Sequence, residues 1–218
     1  MYSPQHFVED RAEVLRELVQ THPLGLLITH NGQDVEANSI PWLLDVDPLG
    51  GPGILRAHVA RANPVWKQAR VDVNSLVVFQ GPQAYISPNW YPSKAITHQE
   101  VPTWNYCMVQ ARGLLQVRED AAWVLDLITR LSDTHEKNQV QPWSVNDAPK
   151  AYIDKMLAAI VGIEIVLTSL TGKWKVSQNK KEVDRQGVVA ALQGLDSEQA
   201  RAIADQVVAP GLTSRAAR

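Results

Sequence analysis

Leu24-Gly25-Leu26-Leu27-Ile28-Thr29-His30-Asn31-Gly32-Gln33-Asp34-Val35-Glu36-Ala37-Asn38-Ser39-Ile40-Pro41 is the stretch whose reading decides the fold class. A short apolar run meets Asn31-Gly32, the pair that most readily takes up the positive φ angles of a tight hairpin turn, and a second extended run returns from it. The spacing predicts strand, turn, strand. Pro41 falls inside the return strand, which continues to Trp42-Leu43-Leu44. Proline donates no ladder hydrogen bond, so this position is expected at a sheet edge or a bulge. On the N-terminal side, residues 10–19 place Val14, Leu15, Leu18 and Val19 at helical spacing, with Pro23 as a stop. That pattern predicts an opening amphipathic helix.

Downstream, Gly50-Gly51-Pro52-Gly53 predicts a second turn and Ile54-Leu55-Arg56-Ala57-His58-Val59 a further strand. Asn63-Pro64 breaks that strand, and a short helix is expected over 65–70. Ser75-Leu76-Val77-Val78-Phe79-Gln80 reads as a buried strand, Gly81-Pro82 as a turn, and Ala84-Tyr85-Ile86-Ser87 as a strand pairing back. Residues 88–103 are rich in proline and aromatics without a period and predict a structured loop, followed by a strand over 109–117. Asp120 opens a helix with Val124, Leu127, Ile128 and Leu131 on one face, and Ala148-Pro149 opens another through Ile153, Met156, Leu157 and Ile160. Residues 163–168 alternate as a last strand would. Beyond Gln178 the chain reads as helical, with 213–218 as a frayed tail. The expected class is α+β, mainly β with peripheral helices. A closed or nearly closed barrel would remove vulnerable edges, and a sandwich satisfies the same spacing. One domain over 1–193 and a C-terminal helical tail over 194–218 are expected.

Composition narrows the function classes. The chain has 218 residues, 45% hydrophobic and 20% charged, which is ordinary for a globular protein. No apolar run approaches the roughly 20 residues that span a bilayer, and the start lacks a basic region followed by an apolar stretch, so a soluble cytoplasmic protein is expected. Cys107 is the only cysteine, which excludes an intrachain disulfide and a cysteine-rich zinc site. The net charge of −2 supplies no general positive field for nucleic acid. The local basic residues Lys173, Lys175, Lys180, Lys181 and Arg185 read as a solvated face or as a contact for an anion. His135-Glu136 is followed by Gln139 where a helical zinc-protease motif needs histidine, and the cluster at 50–53 lacks dinucleotide-binding and P-loop spacing. The six histidines are scattered without ligand spacing. No nucleophile elbow and no helix-turn-helix is evident.

Three segments combine residues that packing alone does not demand. His58-Val59-Ala60-Arg61-Ala62-Asn63-Pro64-Val65-Trp66 joins an imidazole, an arginine and an asparagine at a strand end, a set able to hold a phosphate. The same residues also read as a solvated arginine before a proline-initiated helix. Trp90, Tyr91, Trp104 and Tyr106 concentrate aromatics around 88–106, as a planar ligand or a partner subunit would require, or as a well-packed loop would. Lys173-Trp174-Lys175-Val176-Ser177-Gln178-Asn179-Lys180 alternates donors along an extended segment, and reads otherwise as a polar exit from the barrel.

Together with Met1-Tyr2-Ser3-Pro4, Asn63-Pro64-x-Trp66, Phe79-Gln80-Gly81-Pro82, Ala84-Tyr85-Ile86-Ser87-Pro88, Val101-Pro102-Thr103-Trp104-Asn105-Tyr106 and Lys175-Val176-Ser177-Gln178-Asn179, the chain resembles the PaiB family of FMN-binding negative transcriptional regulators from about Met1 to Gln193. It departs from that pattern at Ser39, where the family often carries histidine. The resemblance implies an FMN-binding split β-barrel related to pyridoxamine-phosphate oxidase, dimeric, with FMN in clefts lined by both subunits. By that likeness, Asn38, Ser39, Ile40 and Pro41 meet the flavin ring through backbone groups, and His58, Arg61 and Asn63 hold ribityl and phosphate oxygens. Lys175, Ser177, Gln178 and Asn179 close the site, with Trp104 and Asn105 near the ring or at the dimer contact. Regulation is expected through DNA or a protein partner. The alternatives are a flavin-dependent oxidoreductase using NAD(P)H, with His58 or Tyr106 as proton carrier, and a flavin or haem sensor using His30, His98 or His135.

Overall fold

Asn31 closes the predicted hairpin with its own side chain: Oδ1 accepts from the N–H groups of Gln33 (2.9 Å) and Asp34 (2.8 Å). Gly32 beside it sits at φ 102°, which costs glycine little and other residues much. The computed structural model describes residues 1–211. In chain order its main elements are β1 (Val8–Glu9), α1 (Ala12–Thr21), β2 (Leu24–His30), β3 (Val35–Pro41), β4 (Leu43–Asp45), β5 (Ile54–Ala60), α2 (Val65–Gln68), β6 (Ser75–Ile86), α3 (Lys94–Thr97), β7 (Thr103–Arg118), α4 (Ala121–Glu136), α5 (Lys150–Ala158), β8 (Ile160–Lys175), α6 (Glu182–Gln193) and α7 (Glu198–Val208). The expected tail over 213–218 lies outside the described residues.

The chain divides into two units. One comprises Pro23–Val78 and Ala111–Leu170, and it carries all or part of each strand from β2 to β8. The sheet order is β3-β2-β6-β7-β8-β5-β4. β2 pairs antiparallel with β3 and β6, β4 with β5, and β5 with β8. β3 and β4 therefore stand at opposite ends of the sheet, yet only Trp42 separates them in sequence. A sheet whose two ends lie one residue apart must roll up. Trp42 is buried at the join, and Leu27, Leu55, Val77, Leu115, Ile163 and Ile165 fill the interior. Each such side chain contributes about 1.5–3 kcal/mol relative to exposure. α4 adds Val124, Leu127 and Leu131 to this core; Asp120 caps it, accepting from Trp123 N at 2.8 Å.

The other unit comprises Met1–His22, Phe79–Gln110 and the chain from Thr171. α1 buries the four residues of the predicted stripe. α6 and α7 supply Val188, Leu192, Ile203 and Val207, and Trp174 Nε1 donates to Gln206 Oε1 at 2.9 Å.

Several boundaries differ from expectation. Gly81-Pro82 is no turn: β6 runs unbroken from Ser75 to Ile86. A Cβ on Gly81 would lie 2.8 Å from the Leu18 side chain and 3.1 Å from the Cys107 carbonyl oxygen, so the glycine serves close approach within the strand. β7 and β8 are far longer than the predicted 109–117 and 163–168: the start of β7 buries polar Asn105 and turns Trp104 and Tyr106 outward, and the end of β8 turns Lys173 and Lys175 outward, so neither end carries a plain apolar alternation. Residues 88–103 contain α3 and a single 3-10 turn, Pro88–Trp90. In α5 only Ile153 of the predicted apolar face is buried.

Candidate functional site

The expected site residues form two clusters, one in each unit. In the first, β3 carries Asn38, Ser39, Ile40 and Pro41 opposite Leu27, Leu26, Gly25 and Leu24. Ile40 points into the core, while Ser39 and Pro41 are exposed. β3 pairs with β2 alone, so alternate N–H and C=O groups of this segment leave the ladder and face the sheet edge. Asn63 ties that edge to the turn after β5. Its Nδ2 donates to Asn38 Oδ1 at 3.0 Å, and its Oδ1 accepts from Val65 N at 3.0 Å. α2 has four residues, and this asparagine already takes its leading N–H, so the helix start offers little to a phosphate.

His58 stands on β5 opposite Gly162, and β5 contacts β3. Its Nδ1 is buried with no hydrogen-bond partner among the described residues. Burial pushes the imidazole pKa below its ordinary value, so it stays neutral at neutral pH. Arg61 is held on three sides. Nε donates to Ala158 O (3.2 Å), Nη2 to Ile160 O (3.1 Å) and Nη1 to Glu119 (2.8 Å). Its guanidinium also lies 5.6 Å from the Trp66 ring centroid, while Trp66 Nε1 donates to Arg61 O at 3.1 Å.

The second cluster centres on Ser177, which adopts φ 65°, a left-handed conformation unusual for a residue other than glycine. Buried Asn105 donates from Nδ2 to Ser177 Oγ at 2.9 Å. Gln178 folds back on its own turn, accepting from Val176 N (2.8 Å) and donating to Trp174 O (2.5 Å). Its amide therefore shapes the loop, while Asn179 is exposed. Lys175 Nζ donates to Thr103 Oγ1 (2.6 Å) and Trp104 O (2.5 Å), and desolvation, reinforced by Lys173 and Lys180, lowers its pKa. Trp104 is 54% exposed, and its ring stands edge-on to Tyr85 at 5.9 Å.

Tyr91, which the sequence left between a ligand or partner contact and a well-packed loop, belongs to this second cluster. It is buried, and its hydroxyl lies against Ser177. Lys180 Nζ, paired with Glu100 at 2.5 Å, lies 4.7 Å from the ring centroid. Burial and then the Glu100 carboxylate raise the phenol's pKa. No sequence signal separates Tyr91 from its aromatic neighbours.

The first cluster holds groups of the kinds a flavin mononucleotide binds to: an unpaired strand edge, an unpartnered buried imidazole, the Asn38 and Asn63 amides and the Arg61 guanidinium. Residues 1–169 match the model of the family described as "Putative FMN-binding domain". A protein of Emericella nidulans is 30% identical over 241 residues, covering 95% of this chain and 96% of that one. The Bacillus subtilis protein named protease synthase and sporulation protein PAI 2 is 29% identical, over 94% of this chain and 95% of its own. Among solved structures, the flavocytochrome Anf3 from Azotobacter vinelandii aligns with a TM-score of 0.58 at 11% identity, over 83% of this chain and 75% of that one. The FAD and haem binding protein from Mycobacterium smegmatis aligns with a TM-score of 0.53 at 15% identity, over 76% and 71%. At these identities the structural likeness concerns the fold, the rolled and incompletely closed sheet described above.

Proposed function

This chain belongs to the FMN-binding split-barrel family whose model spans residues 1–169, and from that membership we propose that it works as a PaiB-type homodimer in negative regulation of transcription through its bound flavin. FMN is its cofactor. The observation that supports this reading is the unpaired edge of β3, a strand in contact with β5, which carries the orphaned His58 Nδ1. On this reading the backbone of Asn38, Ser39, Ile40 and Pro41 meets the ring, and His58, Arg61 and Asn63 take the ribityl and phosphate oxygens. Trp104, Asn105, Lys175, Ser177, Gln178 and Asn179 close the clefts, which both subunits line.

Arg61 must exchange a partner to take part. Its contact with Glu119 is largely exposed, and such pairs are worth about 0–1 kcal/mol, so little is lost when a phosphate, which carries more negative charge than one carboxylate, takes its place. A phosphate therefore displaces the carboxylate. The dimer reading is supported by the outer face of β2 and β6, where Leu24 and Leu26 are exposed and the register sets Leu26 beside Val78 and Ile28 beside Leu76. A contiguous apolar face of this kind suits a subunit contact. With a net charge of −2, the regulatory output is assigned to a protein partner or small molecule sensed through the flavin. The name of the Bacillus relative, protease synthase and sporulation protein, is in keeping with a regulatory role.

The test is FMN titration of the apoprotein by flavin fluorescence, with light scattering for mass. Wild type is expected to quench stoichiometrically, and the Arg61→Ala/Asn63→Ala double variant to lose at least tenfold in affinity while remaining dimeric. Unchanged affinity in that variant refutes the phosphate placement. A second reading, a flavin-dependent oxidoreductase, is favoured by the neutral, unpartnered imidazole of His58, which is free to exchange a proton. Adding NADPH under air separates the two, since rapid bleaching with reoxidation marks the enzyme. A gel shift at physiological salt addresses DNA.

A further inference from the structure

The segment before β1, the start of β7 and the end of β8 build a groove that none of the assignments above explains as a whole. Alternation along β7 buries Asn105 and Cys107 and turns Trp104 and Tyr106 outward, while alternation along β8 buries Trp174 and turns Lys173 and Lys175 outward. Pairing of Val8 with Lys173 brings the N-terminal segment alongside. The result is an open groove of about 390 Å³ whose walls include Tyr2, Phe7, Trp104 and Tyr106 and whose cations are Lys173 and Lys175. That volume is within the range of small-molecule sites.

The charge of this groove is unbalanced. Among the described residues Lys173 Nζ donates only to Tyr2 O (3.1 Å), and Lys175 Nζ only to Thr103 Oγ1 and Trp104 O. Among the described residues neither ammonium has a carboxylate partner, and no acidic residue lines the groove. Lys180, by contrast, is paired with Glu100. Both unpaired lysines are half-buried, in a chain whose net charge is negative. Lys173 Nζ lies 5.8 Å from the Tyr2 ring centroid and 5.5 Å from that of Tyr106, so the charge is set among aromatic faces. A solvated lysine pair on a polar surface would show none of this aromatic walling. An ammonium carries three donors, so Lys173 keeps two free and Lys175 one. Two carboxylate oxygens can accept all three.

We propose that this groove binds a flat aromatic carboxylate, its ring against the Trp104 and Tyr106 side and its carboxylate on Lys173 and Lys175, as a second molecule taken up by the FMN-loaded protein. The proposal rests on the flavin reading in that Trp104 and Lys175 then serve both molecules. Charge complementarity selects an acid, and the aromatic wall selects a ring over an aliphatic chain.

The probe is coumarin-3-carboxylate, with coumarin-3-carboxamide as its neutral counterpart, titrated calorimetrically into FMN-saturated protein and into apoprotein. The acid is expected to bind at least tenfold tighter than the amide. Lys173→Gln should remove at least tenfold of that affinity with FMN uptake unchanged, Lys173→Arg should restore most of it, and Tyr106→Ala should weaken acid and amide together. Equal binding of acid and amide, no binding of either, or displacement of the probe by stoichiometric FMN would overturn the proposal, the last by returning the groove to the cofactor. Flavin absorbance is read separately. Probe binding without flavin uptake sinks the cofactor reading and leaves the groove, and flavin uptake without probe binding does the reverse.

Discussion

Ser177 is a serine where the backbone asks for glycine. Its φ of 65° costs an L residue about 1–2 kcal/mol, and the compensation is the bond its hydroxyl accepts from buried Asn105. Ser177→Ala keeps the strain and strands the Asn105 amide, an expected loss of about 1–3 kcal/mol. Ser177→Gly strands the same amide but relieves the strain, so it should be the milder change, reversing the usual order in which alanine exceeds glycine by about 0.5–1 kcal/mol. Urea midpoints of the two variants check this, and a less stable glycine variant would contradict it. In the sequence the Ser-Gln-Asn run reads either as a ligand-contacting segment or as a polar exit from the barrel, and the division of labour within it is not legible there. On the first reading every polar side chain is a ligand donor, whereas Gln178 bonds its own turn, a choice made by rotamer and loop conformation. Arg61 shows the same limit, because carbonyl oxygens of Ala158 and Ile160, about a hundred positions away, hold it.

The elements of the barrel are held in register by a chain of ion pairs that periodicity does not reveal. Glu164 on β8 is buried between Arg56 of β5 (3.3 Å) and Arg118 of β7 (Nε at 3.0 Å). Arg56 in turn reaches Asp45 of β4, which also binds Arg130 of α4. Removing one member of a buried pair costs about 3–5 kcal/mol, and the partial exposure of both arginines lowers the expectation for Glu164→Ala to about 2–3 kcal/mol. Asp126→Ala removes only an exposed i,i+4 partner of Arg130 and should cost less than about 0.5 kcal/mol. Thermal and denaturant unfolding of the two variants test the contrast. Sequence reading found the hairpin, the opening helix and the Asp120 helix, because each is written in local spacing and capping. It misread Gly81-Pro82, because a glycine demanded by a neighbouring side chain looks the same in sequence as one demanded by a turn.

For the whole molecule, the apolar face of β2 and β6 carries the dimer proposal. Leu26→Asp places a charge on it without touching the core, so gel filtration and light scattering are expected to find the monomer mass with the fold retained by circular dichroism. A dimer that survives the change would move the contact elsewhere. Among the described residues no helix is long and apolar enough to cross a membrane. The rolled sheet was expected from the number and spacing of strands; what decides it is Trp42. A hairpin needs at least a two-residue loop, so with one residue between them β3 and β4 cannot fold back and zip together. The slit between these two strands is therefore fixed by chain length, whatever the side chains on either side. On the proposed flavin reading, the backbone amides along this rim owe their availability to the one-residue joint, and a lengthened joint that lets the two strands pair is expected to shut the flavin out.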